Sequence, residues 1–210
     1  LLYLVLMLHG LMSTCWAECT CTAVDVMAVN LTELVNATAL YEFAATSTGQ
    51  DDVDNVCHVY RDTHTPNTAL YEQVITYTNK STAQTASLVR PIQPGVFRFD
   101  GPDGSWKVFI VDKPCTSTYV IYRCKQGGSC VTTKSKASVY VCSKNKTEDA
   151  QCISDGIEKA TKVFTGIKII QYPRNSTAPC KLAGYTPPTP PPTPTPTPTP
   201  KPNPFMSLFF

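Results

Sequence analysis

The 210-residue sequence predicts one all-β domain, an antiparallel barrel or sandwich accompanied by a single late helix. Three observations lead to this fold class. Short runs of β-branched and aromatic residues recur through the middle of the chain, turn signals separate the runs, and several runs alternate in polarity. The chain is long enough for one domain with a hydrophobic core of its own.

Seven runs in the middle of the chain are predicted to form strands. They cover 54–63, 70–78, 87–92, 95–100, 105–112, 118–124 and 137–142. The turn signals DGPDG and KQGG fall between consecutive runs. Alternation is clear around Phe97 and Phe99, because Val96 and Arg98 would point to the opposite face of the same strand.

One segment after these runs has the pattern of an amphipathic helix. Its apolar residues at helical spacing are Ile153, Ile157, Ala160 and Phe164. Thr147 or Asp149 is placed to cap the start, and Gly166 is placed to end the helix. The stretch 167–172 then predicts a last strand, and this order fits a closed barrel with the helix packed outside.

The first 17 residues have the pattern of a secretory signal peptide, an apolar run that ends in small residues, with cleavage expected after Ala17. A membrane anchor is the alternative, but the run is short for a span. The stretch has no initiating Met and no basic residues before the run, so we expect it to be incomplete at its start. Residues 18–184 are the predicted folded domain.

Residues 185–210 are predicted to be a disordered tail. From Thr186 onward, the stretch TPPTPPPTPTPTPTPKPNP holds eleven of the eighteen prolines, which exclude helix and sheet pairing. An extended polyproline II spacer is expected. The regular threonines suit a mucin-like stalk with O-linked sugar, and a plain disordered tail is the equal alternative.

Cysteines and glycosylation sequons both indicate an extracellular protein. Nine cysteines follow Ala17: Cys19, Cys21, Cys57, Cys115, Cys124, Cys130, Cys142, Cys152 and Cys180. Their number and spread predict disulfides, and the odd one predicts a free thiol or a disulfide between chains. No pair has zinc-site spacing, so no structural metal is expected. The N-x-S/T sequons begin at Asn30, Asn36, Asn79, Asn145 and Asn175.

Three short motifs resemble the lipocalin family, most closely its apolipoprotein D-like members. TALYEF (38–43) matches the Tyr-Glu of the family's first motif, G-x-W-Y-E-I, at Tyr41 and Glu42. Asp112 and the strand ending YRC (122–124) resemble the second motif. Lys144 stands where the third motif has an Arg, so we expect its stem to cover Leu40 without a planar cation–π stack.

The resemblance implies an eight-stranded calyx barrel with one C-terminal helix outside. It also implies a disulfide between Cys57 and Cys180, and another from Cys19 or Cys21 to Cys124. The remaining cysteines leave several pairings open, of which Cys115–Cys130 and Cys142–Cys152 are the ones we expect. By alternation, and for Tyr140 also by resemblance, the candidate ligand-binding residues are Tyr60, Phe97, Phe99, Trp106, Ile121 and Tyr140.

The predicted function is that of a secreted lipocalin that binds or transports a small hydrophobic ligand, with no cofactor. The alternative is a glycosylated matrix protein that uses the barrel as a scaffold and the tail as a spacer. We expect no enzyme activity, since no nucleophile elbow is present, although an enzyme that uses a cavity thiol is a weaker third possibility.

His58 and His64 are interpreted as ordinary half-exposed histidines, with metal or haem ligation as the alternative. The formal net charge of +2 is spread along the chain and predicts no nucleic-acid partner.

Overall fold

The computed structural model describes residues 21–37, 39–46, 52–125, 137–163, 168–175 and 180. The predicted signal peptide and the Pro/Thr tail lie outside these residues, as do Cys19 and Cys130. Among the described residues, no helix combines the length and the apolar character needed to cross a membrane.

Nine strands and two helices lie within the described part of the chain. Helix α1 spans Leu31–Val35 and helix α2 spans Ala150–Val163. The strands are β1 (Leu40–Thr46), β2 (Val53–Asp62), β3 (Ala69–Tyr77), β4 (Thr82–Gln93), β5 (Val96–Gly101), β6 (Gly104–Cys115), β7 (Thr118–Lys125), β8 (Ala137–Ser143) and β9 (Ile169–Gln171).

Strands β1 to β8 form a closed antiparallel barrel. The strand order runs from β2 through β8 to β1, and β1 closes the ring by pairing with β2 at Tyr41 and Cys57. Strand β9 pairs with the other part of β1, where Ala45 faces Ile170. The expected eight-stranded barrel with one external helix is confirmed.

Alternation along the strands divides the apolar residues between two cores. In β7, Tyr119 and Ile121 belong to the cluster inside the barrel, whereas Val120 and Tyr122 belong to the cluster outside it. Helix α2 packs on this outer cluster, in contact with β6, β7 and β8. Every position of β7 from 118 to 122 is therefore buried, although the side chains point in two directions.

Helix α2 begins where the capping pattern predicts. The Asp149 carboxylate accepts hydrogen bonds from the backbone N–H of Gln151 at 2.8 Å and Cys152 at 3.4 Å, so Asp149 rather than Thr147 is the cap. Ile153 and Ala160 are buried against the outer face of the barrel, as expected. Phe164 and Gly166 lie outside the described residues.

Two elements differ from the prediction. Strand β4 begins at Thr82 instead of residue 87, because its alanine- and polar-rich first half pairs with β3 from Thr76 onward. Backbone pairing with a neighbour can thus extend a strand through residues of weak β propensity. Helix α1 was not predicted; it is only five residues long and is capped by Asn30, whose Oδ1 accepts a 2.8 Å hydrogen bond from the N–H of Glu33.

Three disulfides connect six of the seven described cysteines: Cys21–Cys124, Cys57–Cys180 and Cys115–Cys152. The first two agree with the pairings that the resemblance implied. The expected pairings Cys115–Cys130 and Cys142–Cys152 are wrong. Cys142 points into the barrel and Cys152 lies on the external helix, so the wall of the barrel separates them. Cys142 carries a free, buried thiol, which also leaves it unable to reach a second chain.

The five sequon asparagines all lie at the protein surface. Asn30, Asn36, Asn79, Asn145 and Asn175 are exposed. Exposure is the condition that attached sugar requires. Glycosylation at these positions stays a prediction.

Candidate functional site

The interior of the barrel holds a cavity of about 130 Å³. Its wall includes Tyr71, Phe99, Trp106, Val108, Arg123 and Tyr140, supplied by strands β3, β5, β6, β7 and β8. Asp103, in the turn between β5 and β6, also lines the cavity, so this end of the cavity lies near the loops. The cavity is small because aromatic side chains fill most of the barrel.

All six predicted ligand-binding residues belong to the interior cluster, but only three of them line the cavity. Phe99, Trp106 and Tyr140 form part of its wall. Tyr60, Phe97 and Ile121 are among the buried residues of the surrounding core. Alternation therefore identified the inward faces correctly, but it did not separate cavity wall from core, since both are apolar and inward-facing.

A network of aromatic side chains includes two residues of the cavity wall, Tyr71 and Phe99. The ring centroids of Tyr71 and Phe99 are 4.7 Å apart, and those of Tyr60 and Tyr71 are 5.2 Å apart. Aromatic pairs at these distances and tilts add attraction beyond the burial of their area. Tyr71 is central to this network, although the sequence analysis did not select it.

A buried polar cluster lies beside the cavity. His58 Nε2 is 2.8 Å from Glu42 Oε2, and His58 Nδ1 is 2.6 Å from the Tyr71 hydroxyl. The Cys142 sulfur completes the group, since it and the His58 and Glu42 ligand atoms lie within 4.8 Å of one another. His58, at 1% exposure, is not the half-exposed histidine that was expected. His64 is exposed and its ring lies 3.6 Å from the Asp62 carboxylate.

One sequence signal for His58 was available. It lies two residues before Tyr60 in β2 and therefore points to the same inward face. Glu42 and Cys142 are opposite each other across β1 and β8, a register that only the folded sheet provides. In the pairing of β1 with β2, His58 is opposite Leu40, which is the inward-facing residue of β1 two positions before Glu42.

Burial raises the pKa of Cys142 and of the two tyrosines beside it. Burial, with the Glu42 carboxylate as a further cause, raises the pKa of the Cys142 thiol well above its ordinary value. Burial likewise raises the pKa of Tyr71 and of Tyr140. The thiol and both phenols are therefore protonated at neutral pH, and the thiol is a poor nucleophile in this state.

A cationic side chain stands over the aromatic wall of the cavity. The Arg123 guanidinium carbon is 5.0 Å from the centroid of the Trp106 ring and 5.8 Å from that of Tyr140. Its Nε donates a 2.8 Å hydrogen bond to the Ser138 hydroxyl. The Trp106 indole N–H donates to the Asp103 carboxylate at 3.1 Å. The cavity therefore combines aromatic side chains with the polar side chains of Gln73, Thr85 and Ser87, and its lining includes one guanidinium, that of Arg123, and one carboxylate, that of Asp103.

No family model matches the sequence, and no curated protein matches it. Solved structures do match the fold. Apocrustacyanin C1 aligns with a TM-score of 0.50 at 11% identity, over 74% of this chain and 93% of that chain. H1 crustacyanin from the lobster Homarus americanus aligns with a TM-score of 0.50 at 11% identity, over 79% and 86%. The siderocalin Ex-FABP aligns with a TM-score of 0.52 at 9% identity, over 67% and 95%.

The fold is that of the lipocalins. At the end of the barrel near α1, Lys144 lies close to an aromatic ring. Its ammonium lies 5.4 Å from the Tyr119 ring centroid, and that of Lys113 lies 5.2 Å from it. The Tyr119 hydroxyl donates a 2.8 Å hydrogen bond to Glu33 of α1. Two lysine ammonium groups therefore lie close to one tyrosine ring at this end of the barrel.

Proposed function

We propose that the protein is a secreted carrier that binds a small hydrophobic ligand in the cavity of its lipocalin barrel. The observation that carries this proposal is a cavity inside a closed barrel, whose wall joins aromatic side chains to several polar groups. Three disulfides support an oxidising, extracellular location. The likeness to solved lipocalins supports the fold on which the proposal rests.

The cavity volume limits the size of the ligand. About 130 Å³ is well below the roughly 300–1,000 Å³ typical of sites for drug-sized ligands. An apolar cavity of about 150 Å³ is known to accept a molecule the size of benzene. We therefore infer a ligand whose buried part is about the size of one aromatic ring, and not a retinoid or a long fatty acid.

Arg123 determines the polar end of that ligand. The guanidinium is half-buried among aromatic rings, where a carboxylate would meet a fixed cation with little competing water. Tyr140 offers a hydroxyl at the same wall. The best-matched ligand class is a single-ring aromatic or short aliphatic molecule with an anionic group.

The protonated state of Cys142 argues against the cavity-thiol enzyme that the sequence left as a third possibility. A nucleophilic cysteine needs a lowered pKa from neighbouring cations, whereas burial and Glu42 raise the pKa of this thiol. Binding and transport of a ligand is therefore better supported than catalysis by this thiol.

Calorimetric titration of the chain 18–210 tests the proposal with phenylacetate, its neutral amide and retinol. Binding of phenylacetate at a single site is expected, and retinol is expected not to bind. Val108→Phe, which fills the cavity, should abolish the binding, while Val111→Phe on the outer face should preserve it. Absence of saturable binding for both small probes to the folded protein would overturn the proposal.

A further inference from the structure

Glu42, His58 and Cys142 form a buried cluster inside the barrel. The hydrogen bond between His58 and Glu42 does not by itself explain why a cysteine lies beside them. The three side chains come from the adjacent strands β2, β1 and β8 and are all buried inside the barrel. Each offers one ligand atom, and the three atoms lie within 4.8 Å of one another. Among the described residues, this is the group of histidine, cysteine and acidic side chains close enough to share one ion.

We propose that Glu42, His58 and Cys142 bind one Zn²⁺ ion inside the barrel. Imidazole, thiolate and carboxylate are the ligand types that zinc takes in proteins, at about 2.0–2.3 Å from the metal. Tetrahedral geometry at those bond lengths places ligand atoms roughly 3.3–3.8 Å apart. The His58–Glu42 separation of 2.8 Å is shorter than that range, and every separation among the three ligand atoms is within 4.8 Å.

Small side-chain movements suffice for the ion to enter between the three residues. The His58–Glu42 hydrogen bond has to open by about half an ångström, and the sulfur, which is within 4.8 Å of both other ligand atoms, has to move by no more than about 1.5 Å. Glu42 needs a change of side-chain torsion only, since its backbone is held between β2 and β8. The sheet therefore supplies the framework of the site before any metal is bound.

The surroundings of His58 match those of a metal-bound imidazole. Its Nδ1 is 2.6 Å from the Tyr71 hydroxyl, so an N–H at that atom leaves Nε2 with a lone pair toward Glu42 and Cys142. The ring is also held between Tyr71 and Tyr140, with centroids 5.7 and 5.3 Å away and nearly parallel planes. The ring plane is thus held from outside the cluster, and the Tyr71 hydroxyl is in place to accept a hydrogen bond from the Nδ1–H of a metal-bound imidazole.

Charge balance supports a divalent ion. Two anionic ligands and one Zn²⁺ give a neutral site, which costs far less to bury than an isolated carboxylate or thiolate. Binding releases the thiol proton of Cys142 to solvent, so metal affinity rises with pH. Three protein ligands leave a fourth position for water or for part of a bound small molecule.

The test uses untagged chain 18–210, in which His58 and His64 are the two histidines. Zn²⁺ is supplied both to the folded, EDTA-treated protein and during oxidative folding, and bound metal is counted after gel filtration. Co²⁺ is used in parallel, because a thiolate ligand produces charge-transfer absorption in the near ultraviolet. One equivalent of metal per chain is expected, with the cobalt–thiolate signal present.

Variants assign the metal to the cluster. Cys142→Ser should remove the charge-transfer band, and both Cys142→Ser and His58→Gln should weaken Zn²⁺ binding at least about 100-fold. Tyr71→Phe should weaken it about tenfold, since it removes only the outer partner of the imidazole. His64→Gln is the matched control and should bind as the parent does.

Three results would overturn the proposal: no stoichiometric Zn²⁺ after either loading route, unchanged binding in both Cys142→Ser and His58→Gln, or equal loss in His64→Gln. If Cys142→Ser fails to fold, Tyr71→Phe and His58→Gln decide the question. Phenylacetate titration of the same variants separates this proposal from the carrier function, because either binding event can fail alone.

Discussion

The Arg123 guanidinium lies over the indole ring of Trp106, with 5.0 Å between the guanidinium carbon and the ring centroid. This contact places the positive charge of the cavity against its aromatic wall. Trp106 is also the one tryptophan after residue 17 of the sequence, so its fluorescence reports on this site alone. The same contact therefore involves the charge that a ligand would meet, part of the cavity wall and a fluorescent side chain.

Replacing Arg123 should change the preference for ligand charge. Arg123→Leu is expected to lower the affinity for phenylacetate about tenfold or more, since a charge-assisted hydrogen bond contributes about 1.5–3 kcal/mol. Affinity for the neutral amide should change much less. Lys125→Leu is the control, because its ammonium also lies near the Trp106 ring, at 5.7 Å, without lining the cavity. Equal losses for both probes would contradict the assigned role of Arg123.

Glu148 should make stability depend on pH in the acid range. Burial acts to raise the pKa of this carboxyl, but hydrogen bonds from Ser117, Ser143, the Asp149 N–H and Thr118 outweigh it and lower the pKa to about 2 from 4.5. A lowered folded-state pKa stabilises the protein above about pH 4.5, and this stabilisation is lost as pH falls toward 2.

Urea unfolding between pH 2 and 7 measures this dependence. Glu148→Gln should lower the free energy of unfolding at pH 7 and flatten its decline in acid. Glu158→Gln, at an exposed helix position, is the control and should change both little. A parallel, undiminished acid decline in Glu148→Gln would show that other carboxyls are responsible.

Gly156 is needed for the close packing of α2 on the barrel. A Cβ at this position would meet Val141 Cγ1 at 2.7 Å. Gly156→Ala is therefore expected to destabilise by about 1 kcal/mol net, because overpacking of about 1–3 kcal/mol exceeds the gain in helix propensity. Thermal unfolding of Gly156→Ala and of the double variant with Val141→Ala measures the effect, and the double variant should recover part of the loss. The exposed Ser154→Ala should be neutral or stabilising.

The Cys115–Cys152 disulfide should stabilise the attachment of α2 to the end of β6. It closes a loop with a sequence separation of 37, which the chain-entropy model values at roughly 3–4 kcal/mol. The double variant Cys115→Ser/Cys152→Ser should lower the free energy of unfolding by that order while preserving the barrel. Urea unfolding followed by circular dichroism measures this, and an unchanged midpoint would contradict it.

Local sequence signals predicted much of the barrel. Phe97, Phe99, Ile121 and Tyr140 point inward as alternation requires, and the helix lies outside. Residues 82–86 were missed because pairing with β3, and not their own propensity, makes them part of a strand. Helix α1 was missed because it is only five residues long. Alternation also identified Phe99, Trp106 and Tyr140 as inward-facing residues. It did not show that they surround a cavity, because residues of the cavity wall and of the core follow the same alternation.

By itself, the sequence determined the antiparallel strands, the late helix and the inward-facing aromatic residues. Its resemblance to lipocalins also implied the disulfide Cys57–Cys180 and a partner for Cys124, with Cys19 and Cys21 as alternatives. Only the tertiary structure decided which residues meet inside the barrel. Barrel closure brings β2 and β8 to the two sides of β1, so that Glu42, His58 and Cys142 share one buried position. The same closure places Cys142 and Cys152 on opposite sides of the wall. Both arrangements depend on pairing between strands that are distant in the chain. The periodicity within one strand carries no information about that pairing.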